Sequence, residues 1–104
     1  MASTVIGPGI TIEGEVIADD DVVVQGTIRG KLTSQDAVII EAGATVEADV
    51  SAASVVVSGS VTGDVQAADR VDLQSTGRLV GDVKAARLTI ADGASFKGNV
   101  DMDV

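Results

Sequence analysis

The chain contains no histidine, cysteine, tryptophan or tyrosine, and only one phenylalanine and one proline. Each absence removes a class of chemistry. Without imidazole or thiolate there is no His- or Cys-based zinc site, no His-dependent triad and no disulfide. Cations are scarce as well: 7 Lys and Arg stand against 16 Asp and Glu, for a net charge of -9. Nucleic-acid phosphates demand clustered Lys and Arg, so no direct nucleic-acid partner is expected. No apolar run approaches the about 18 residues that a membrane helix needs, and the charged n-region of a signal peptide is missing.

What is present points the other way. Val occurs 18 times, Ile 8 and Thr 8, so β-branched residues make up 34 of 104, whereas Leu occurs 4 times. Side chains stiff at χ1 favour strands over helices, and the 12 Gly spread along the chain interrupt any long helical pattern. A core without rings must be thin and regular.

The chain repeats itself. GTIRGKL (26–32), GSVTGDV (59–65) and GRLVGDV (77–83) share the phrase G-x-[VIL]-x-G-x-[VL], with looser copies at 10–16, 44–50 and 94–100. A β-branched triplet precedes each phrase, starting at 4, 22, 38, 55, 71 and 88, so the spacings are 18, 16, 17, 16 and 17. Six copies result. Each reads as three short strands. The first is the triplet with its outer members inward. The second carries one large inward residue (Ile12, Ile28, Val46, Val61, Leu79, Phe96). The third carries a large and then a small one, such as Val16 and Ala18 or Val50 and Ala52. Met102 stands where the sixth copy needs its small residue. Gly14, Gly30, Gly63, Gly81 and Gly98 mark the second corner, with Ala48 as the exception. The first corner alternates between a short form (Gln25-Gly26, Ser58-Gly59) and one two residues longer, as in Gly7-Pro8-Gly9-Ile10.

One such unit cannot bury its own face, but a stack can. The expectation is an all-β fold: a right-handed parallel β-helix of about six triangular rungs, roughly 25–30 Å long at about 4.8 Å per rung. Inward positions do not recur every six residues, which separates it from left-handed hexapeptide solenoids. The expected organisation is a single domain over 4–102, with short tails at 1–3 and 103–104.

A solenoid has two ends, and this one offers no polar or helical cap. Its terminal rungs are apolar: Val5, Ile6, Ile10, Ile12 and Val16 at one end, and Leu88, Ile90, Phe96, Val100 and Met102 at the other. They predict end-to-end polymerisation, with Phe96 as a contact at the C-terminal end. Val23, Ile39 and Val56 follow Val5 in an outward column and are candidates for lateral contact. No metal or cofactor is expected: Asp49, Asp64 and Asp82, and the run Asp19-Asp20-Asp21, read as solvated corners without the spacing of a calcium loop. Residues 1–52 hold 2 basic and 9 acidic residues and 53–104 hold 5 and 7, so a basic partner should prefer the N-terminal end.

Ile6-Gly-Pro-Gly-Ile-Thr-Ile-Glu-Gly-Glu-Val16, Gly26-Thr-Ile-Arg-Gly-Lys-Leu32, Gly77-Arg-Leu-Val-Gly-Asp-Val83 and the stretch Lys84–Val100, in that order, resemble a bactofilin from about residue 3 to 102. The resemblance implies a right-handed β-helix and nucleotide-independent polymers in the bacterial cytoplasm. It implies head-to-head and tail-to-tail joining into filaments without polarity, and scaffolding of client proteins in cell shape, wall-enzyme placement or chromosome and polar organisation. It matches Phe96 to the aromatic near the end of the family's core. Many members carry Pro-rich tails and some a membrane-targeting stretch; Met1–Ile6 does not match the latter, so membrane association is not expected. An enzyme on a β-helix would need His, so no activity is expected. The alternative is a monomeric solenoid that binds ice, carbohydrate or a protein surface; its Thr11, Thr27, Thr45 ladder gives way to Ser60 and Arg78.

Overall fold

Each triplet of the repeat lies directly above the one before it. The computed structural model describes residues 3–102, all of whose regular elements are strands. They are β1 (Ser3–Ile6), β2 (Thr11–Ala18), β3 (Asp21–Val24), β4 (Thr27–Ser34), β5 (Ala37–Ile40), β6 (Thr45–Val57), β7 (Ser60–Thr62), β8 (Val65–Leu73), β9 (Arg78–Ile90) and β10 (Ser95–Met102). Every pairing is parallel. Thr4 pairs with Val22, Val22 with Val38, Val38 with Val55, Val55 with Val71 and Val71 with Leu88. The 16- to 18-residue period is therefore one turn of a parallel β-solenoid of six turns. The body measures 31 × 24 × 23 Å.

The core is made of columns. Ile28, Val46, Val61 and Leu79 stack on the second face, and Leu32, Val50, Val65 and Val83 on the third; all are fully buried. Ala52, Ala67 and Ala85 form the small column that lets the third face meet the first. Ser34 replaces Ala in that position of the second turn, and its hydroxyl is satisfied there. Its Oγ donates to the Asp20 carbonyl at 2.8 Å and accepts from the Asp36 amide at 3.2 Å. The interior is too narrow for rings, which accounts for the missing aromatics.

The corners differ from three separate strands per copy. Positive-φ glycine bends the second strand into the third without breaking the ladder, so β2, β4, β9 and β10 each run through a corner. At Gly81, φ is 133°, and a Cβ there would fall on the carbonyl oxygen of Gly63 in the turn below. Ala48 is the exception: it has no positive φ and is buried. The ladder is interrupted at the Gly63 corner, between Thr62 and Val65, on its Ala48 side and on its Gly81 side alike, whereas Gly30 and Ala48 pair without a break. The longer first corners are β-turns, closed by Ala44 N–H to Glu41 O at 3.0 Å and Ala94 N–H to Ala91 O at 3.1 Å. One link between turns is also longer than its neighbours: Ala68 and Asp69 stand where a single Ala53 or Ala86 suffices, which shifts the register between Ala67 and Arg70.

Ser3 already belongs to β1, and residues 1–2 and 103–104 lie outside the described residues.

Two substitutions test this arrangement. Leu32→Ala removes a fully buried side chain between Val16 and Val50, and is expected to cost about 2–5 kcal/mol in denaturant unfolding. Gly81→Ala adds backbone strain of about 1–3 kcal/mol and a clash with the Gly63 carbonyl, whereas Ala48→Gly costs at most about 1 kcal/mol. Equal losses at the two corners would refute the structural distinction between them.

Candidate functional site

A column of side chains is complete only where a turn lies on both sides. At the first and last turns one side is open. Among the described residues β1 pairs only with β3, β2 only with β4, and β10 only with β9. These edges expose backbone N–H and C=O groups along the strand, a template for another strand.

The apolar residues predicted for the N-terminal contact fall into four groups. Ile12 and Val16 continue the fully buried columns of Ile28 and Leu32, yet are only half-buried because no turn covers them. Ile10, at the corner, is 48% exposed. Ile6 is 3% exposed and thus already enclosed by its own chain. Val5 points outward and is 58% exposed, at the head of the lateral column rather than on the end face.

At the C-terminal end Leu88 and Phe96 are half-buried and pack against the core, Phe96 above Leu79. Ile90 is 48% and Val100 40% exposed, although both occupy inward positions that are closed in the turns below. Met102 pairs through its backbone with Ala85, and its side chain lies outside what is described. Phe96 is thus the largest apolar group in an open column, and among the described residues no strand pairs on its side away from Leu79.

The residues proposed for lateral contact are brought into one line. Val5, Val23, Ile39 and Val56 are consecutive in register, and the last three are half-buried on the outer face of the first strands. The column ends at Asp72, which Arg70 Nε approaches at 3.5 Å.

Sequence reading passed over Ile17. It is 68% exposed on the third face, where the equivalent positions hold Thr33, Ser51, Gln66, Lys84 and Asp101. The signal was available: a bulky apolar residue at an outward position that is polar in every other copy. With Val5 and Ile10 it gives the first turn an apolar rim outside its core columns.

The ends differ in charge. The first turn carries Glu13, Glu15, Asp19 and Asp20, and no Lys or Arg precedes Arg29. Arg29, in the second turn, reaches Glu13 at 3.7 Å and Glu47 at 3.1 Å; all three are exposed, so these bridges contribute little. The last turn is more balanced, with Arg87 and Lys97 beside Asp92 and Asp101. Among the described residues no three His, Cys, Asp or Glu side chains group closely enough to hold a metal, and no helix is long and apolar enough to cross a membrane.

Known proteins share this arrangement. Residues 4–101 match the family model for bactofilins, described as polymer-forming cytoskeletal proteins. In Myxococcus xanthus (strain DK1622), the bactofilin BacO is 51% identical over 104 residues, which are 100% of this chain and 82% of BacO. BacN of the same organism is 57% identical over 100 residues, covering 96% of this chain and 88% of BacN. BacP is 44% identical over 100 residues, but the match spans only 42% of BacP. The solved structure of Thermus thermophilus bactofilin, in double helical filaments, superposes with a TM-score of 0.91 at 30% identity, covering 96% of this chain and 99% of that one. Fold, repeat and relatives agree, and the chain belongs to the bactofilin family of polymer-forming cytoskeletal proteins.

Proposed function

We propose that the chain polymerises through its two open ends, N-terminal turn to N-terminal turn and C-terminal turn to C-terminal turn. It does so without nucleotide, and the resulting filaments without polarity act as a scaffold for other proteins. One observation carries this reading. The inward columns are 0–1% exposed at Ile28, Leu32, Val65 and Leu79, yet Ile90 and Val100, which occupy inward positions in the last turn, are 48% and 40% exposed. A second copy stacked on each end removes that apolar surface from water, at roughly 25 cal/mol per Å². The same contact supplies partners to the backbone groups of the edge strands. The joining of like ends is what the bactofilin resemblance implies, and the similarity over residues 4–101 supports its transfer to this chain.

Scaffolding follows from the outer surface. Three faces of a regular rod repeat the same outward positions every turn, which suits several clients bound along one filament. The acidic first turn attracts basic segments over a range set by salt, about 8 Å at physiological ionic strength. The family is structural rather than enzymatic. In the cell the filament is expected in the bacterial cytoplasm.

Phe96→Arg discriminates between modes of joining. It places a charge in the C-terminal contact and leaves the N-terminal one intact, so sedimentation without nucleotide or metal should give dimers in place of filaments. Monomers would indicate head-to-tail stacking, and long filaments in negative stain would exclude a C-terminal contact through this residue.

Salt tests the N-terminal junction separately. Joining two first turns brings Glu13, Glu15, Asp19 and Asp20 of both copies together, four carboxylates per copy against only Arg29 and Lys31 in the turn behind them. The Phe96→Arg dimer should therefore tighten severalfold as ionic strength rises from about 0.01 M to about 0.15 M, where the screening length falls from about 30 Å to about 8 Å. An Ile12→Arg dimer, joined through its C-terminal ends, should respond less. The opposite ranking would place the repulsive junction at the other end.

A further inference from the structure

The strand β2 has a neighbour on one side only. On that side β4 pairs with it in parallel over all eight residues, and opposite charges meet across the pair. Arg29 stands over Glu13 and Lys31 over Glu15, with Arg29 Nη1 3.7 Å from Glu13 Oε1. The alternation continues beyond β4, where Glu47 and Asp49 of β6 follow in the same two columns. Inward positions set Ile12 against Ile28 and Val16 against Leu32. The kind of neighbour that β2 accepts is thus visible within the chain: a parallel strand with large apolar residues inward and cations outward.

The other side of β2 is shaped for the same kind of strand. Among the described residues nothing pairs there. In later turns a corner glycine leaves room for the carbonyl oxygen of the corner below: Gly30 for that of Gly14, Gly81 for that of Gly63, and Gly98 for that of Gly81. Gly14 has the same conformation, at φ 130°, but a Cβ on it would meet no atom within 4 Å. Space for one more corner carbonyl is therefore built into the first turn. A second copy joined through its own first turn covers the apolar columns but brings carboxylates to carboxylates. A cationic strand covers them and also pairs with Glu13 and Glu15.

We propose that the open edge of β2 docks a basic, extended segment of another protein as an added parallel strand. The segment follows the pattern of β4: an apolar residue, a cation, glycine, a cation, an apolar residue. Main-chain hydrogen bonds along the edge hold it, and the charges select it. Docking caps the N-terminal turn, so a filament end that exposes this turn stops growing and carries the client. The inference rests on the proposed joining of N-terminal turns and names a partner that competes for the same edge. The two occupants respond to salt in opposite directions. Screening weakens the hold on a basic strand and relieves the repulsion between two first turns.

The probe is β4 itself as a labelled peptide, GTIRGKLTSQ (residues 26–35), beside the same peptide carrying Arg29→Glu and Lys31→Glu. In fluorescence anisotropy with the Phe96→Arg protein, the first peptide should bind at least about fivefold more tightly than the second. Its affinity should fall severalfold between about 0.01 M and about 0.15 M salt. In sedimentation it should convert Phe96→Arg dimers to monomers and leave Ile12→Arg dimers intact. Adding Glu13→Lys and Glu15→Lys, at exposed positions outside the apolar columns, should reverse the preference between the two peptides. General attraction of a basic peptide to an acidic protein would not reverse in this way. Equal binding of the two peptides, an affinity that rises with salt, or a preference that the exchange fails to reverse overturns the docking. Dimers that persist with peptide bound overturn it as well. A Phe96→Arg protein that is monomeric without peptide defeats only the joining of N-terminal turns, and anisotropy on that monomer still decides the docking.

Discussion

The in-register stacking of parallel strands is the constraint on which everything else depends. No turn of this solenoid holds enough apolar surface to fold alone, so each borrows its floor and its ceiling from its neighbours. The register keeps like over like: Val22 over Thr4, Val38 over Val22, Val55 over Val38. A residue that suits one turn must suit the turns around it. This explains a composition built on Val, Ile and Ala and nearly devoid of rings. It also explains why backbone hydrogen bonds run between turns, as from Glu41 N–H to Val24 O at 2.9 Å and Ser58 N–H to Ile40 O at 2.7 Å.

That constraint has a direct consequence for function. A stack held by neighbours is incomplete wherever it stops, and the interaction that builds the interior is the one missing at the ends. Ile90 and Val100 are core residues by position and surface residues by exposure. Assembly and folding therefore draw on the same force. Charge modifies the result, because the first turn is acidic throughout while the last carries both signs. The two ends of the rod are alike in apolarity and unlike in electrostatics.

Much of this was legible before any coordinates. The six triplets, the second-strand column from Ile12 to Phe96 and the alternating lengths of the first corner all reappear at the expected residues. Period-2 alternation and glycine spacing are local, and parallel stacking adds no rearrangement that would hide them. The corners were less legible. Four corners turn at positive-φ glycine and one at Ala48 without ending the strand, and β6, β8 and β9 run on into the next triplet, so six copies of three strands appear as ten elements, two of them 13 residues long. Ala48 was visible as an exception, but the break of the ladder at Gly63, on both of its sides, was not.

The sequence by itself determined the architecture, the repeat and the family, because each is written in side-chain type at fixed spacing. Tertiary structure decided which apolar residues are available to a partner. Ile6 and Ile10 are both isoleucines of the first turn, four positions apart, yet one is enclosed and the other half-exposed. Ile17 looks like a core residue by type and stands outermost by place. Exposure is a property of what lies above and below a residue, and in a solenoid those neighbours come from a full turn away.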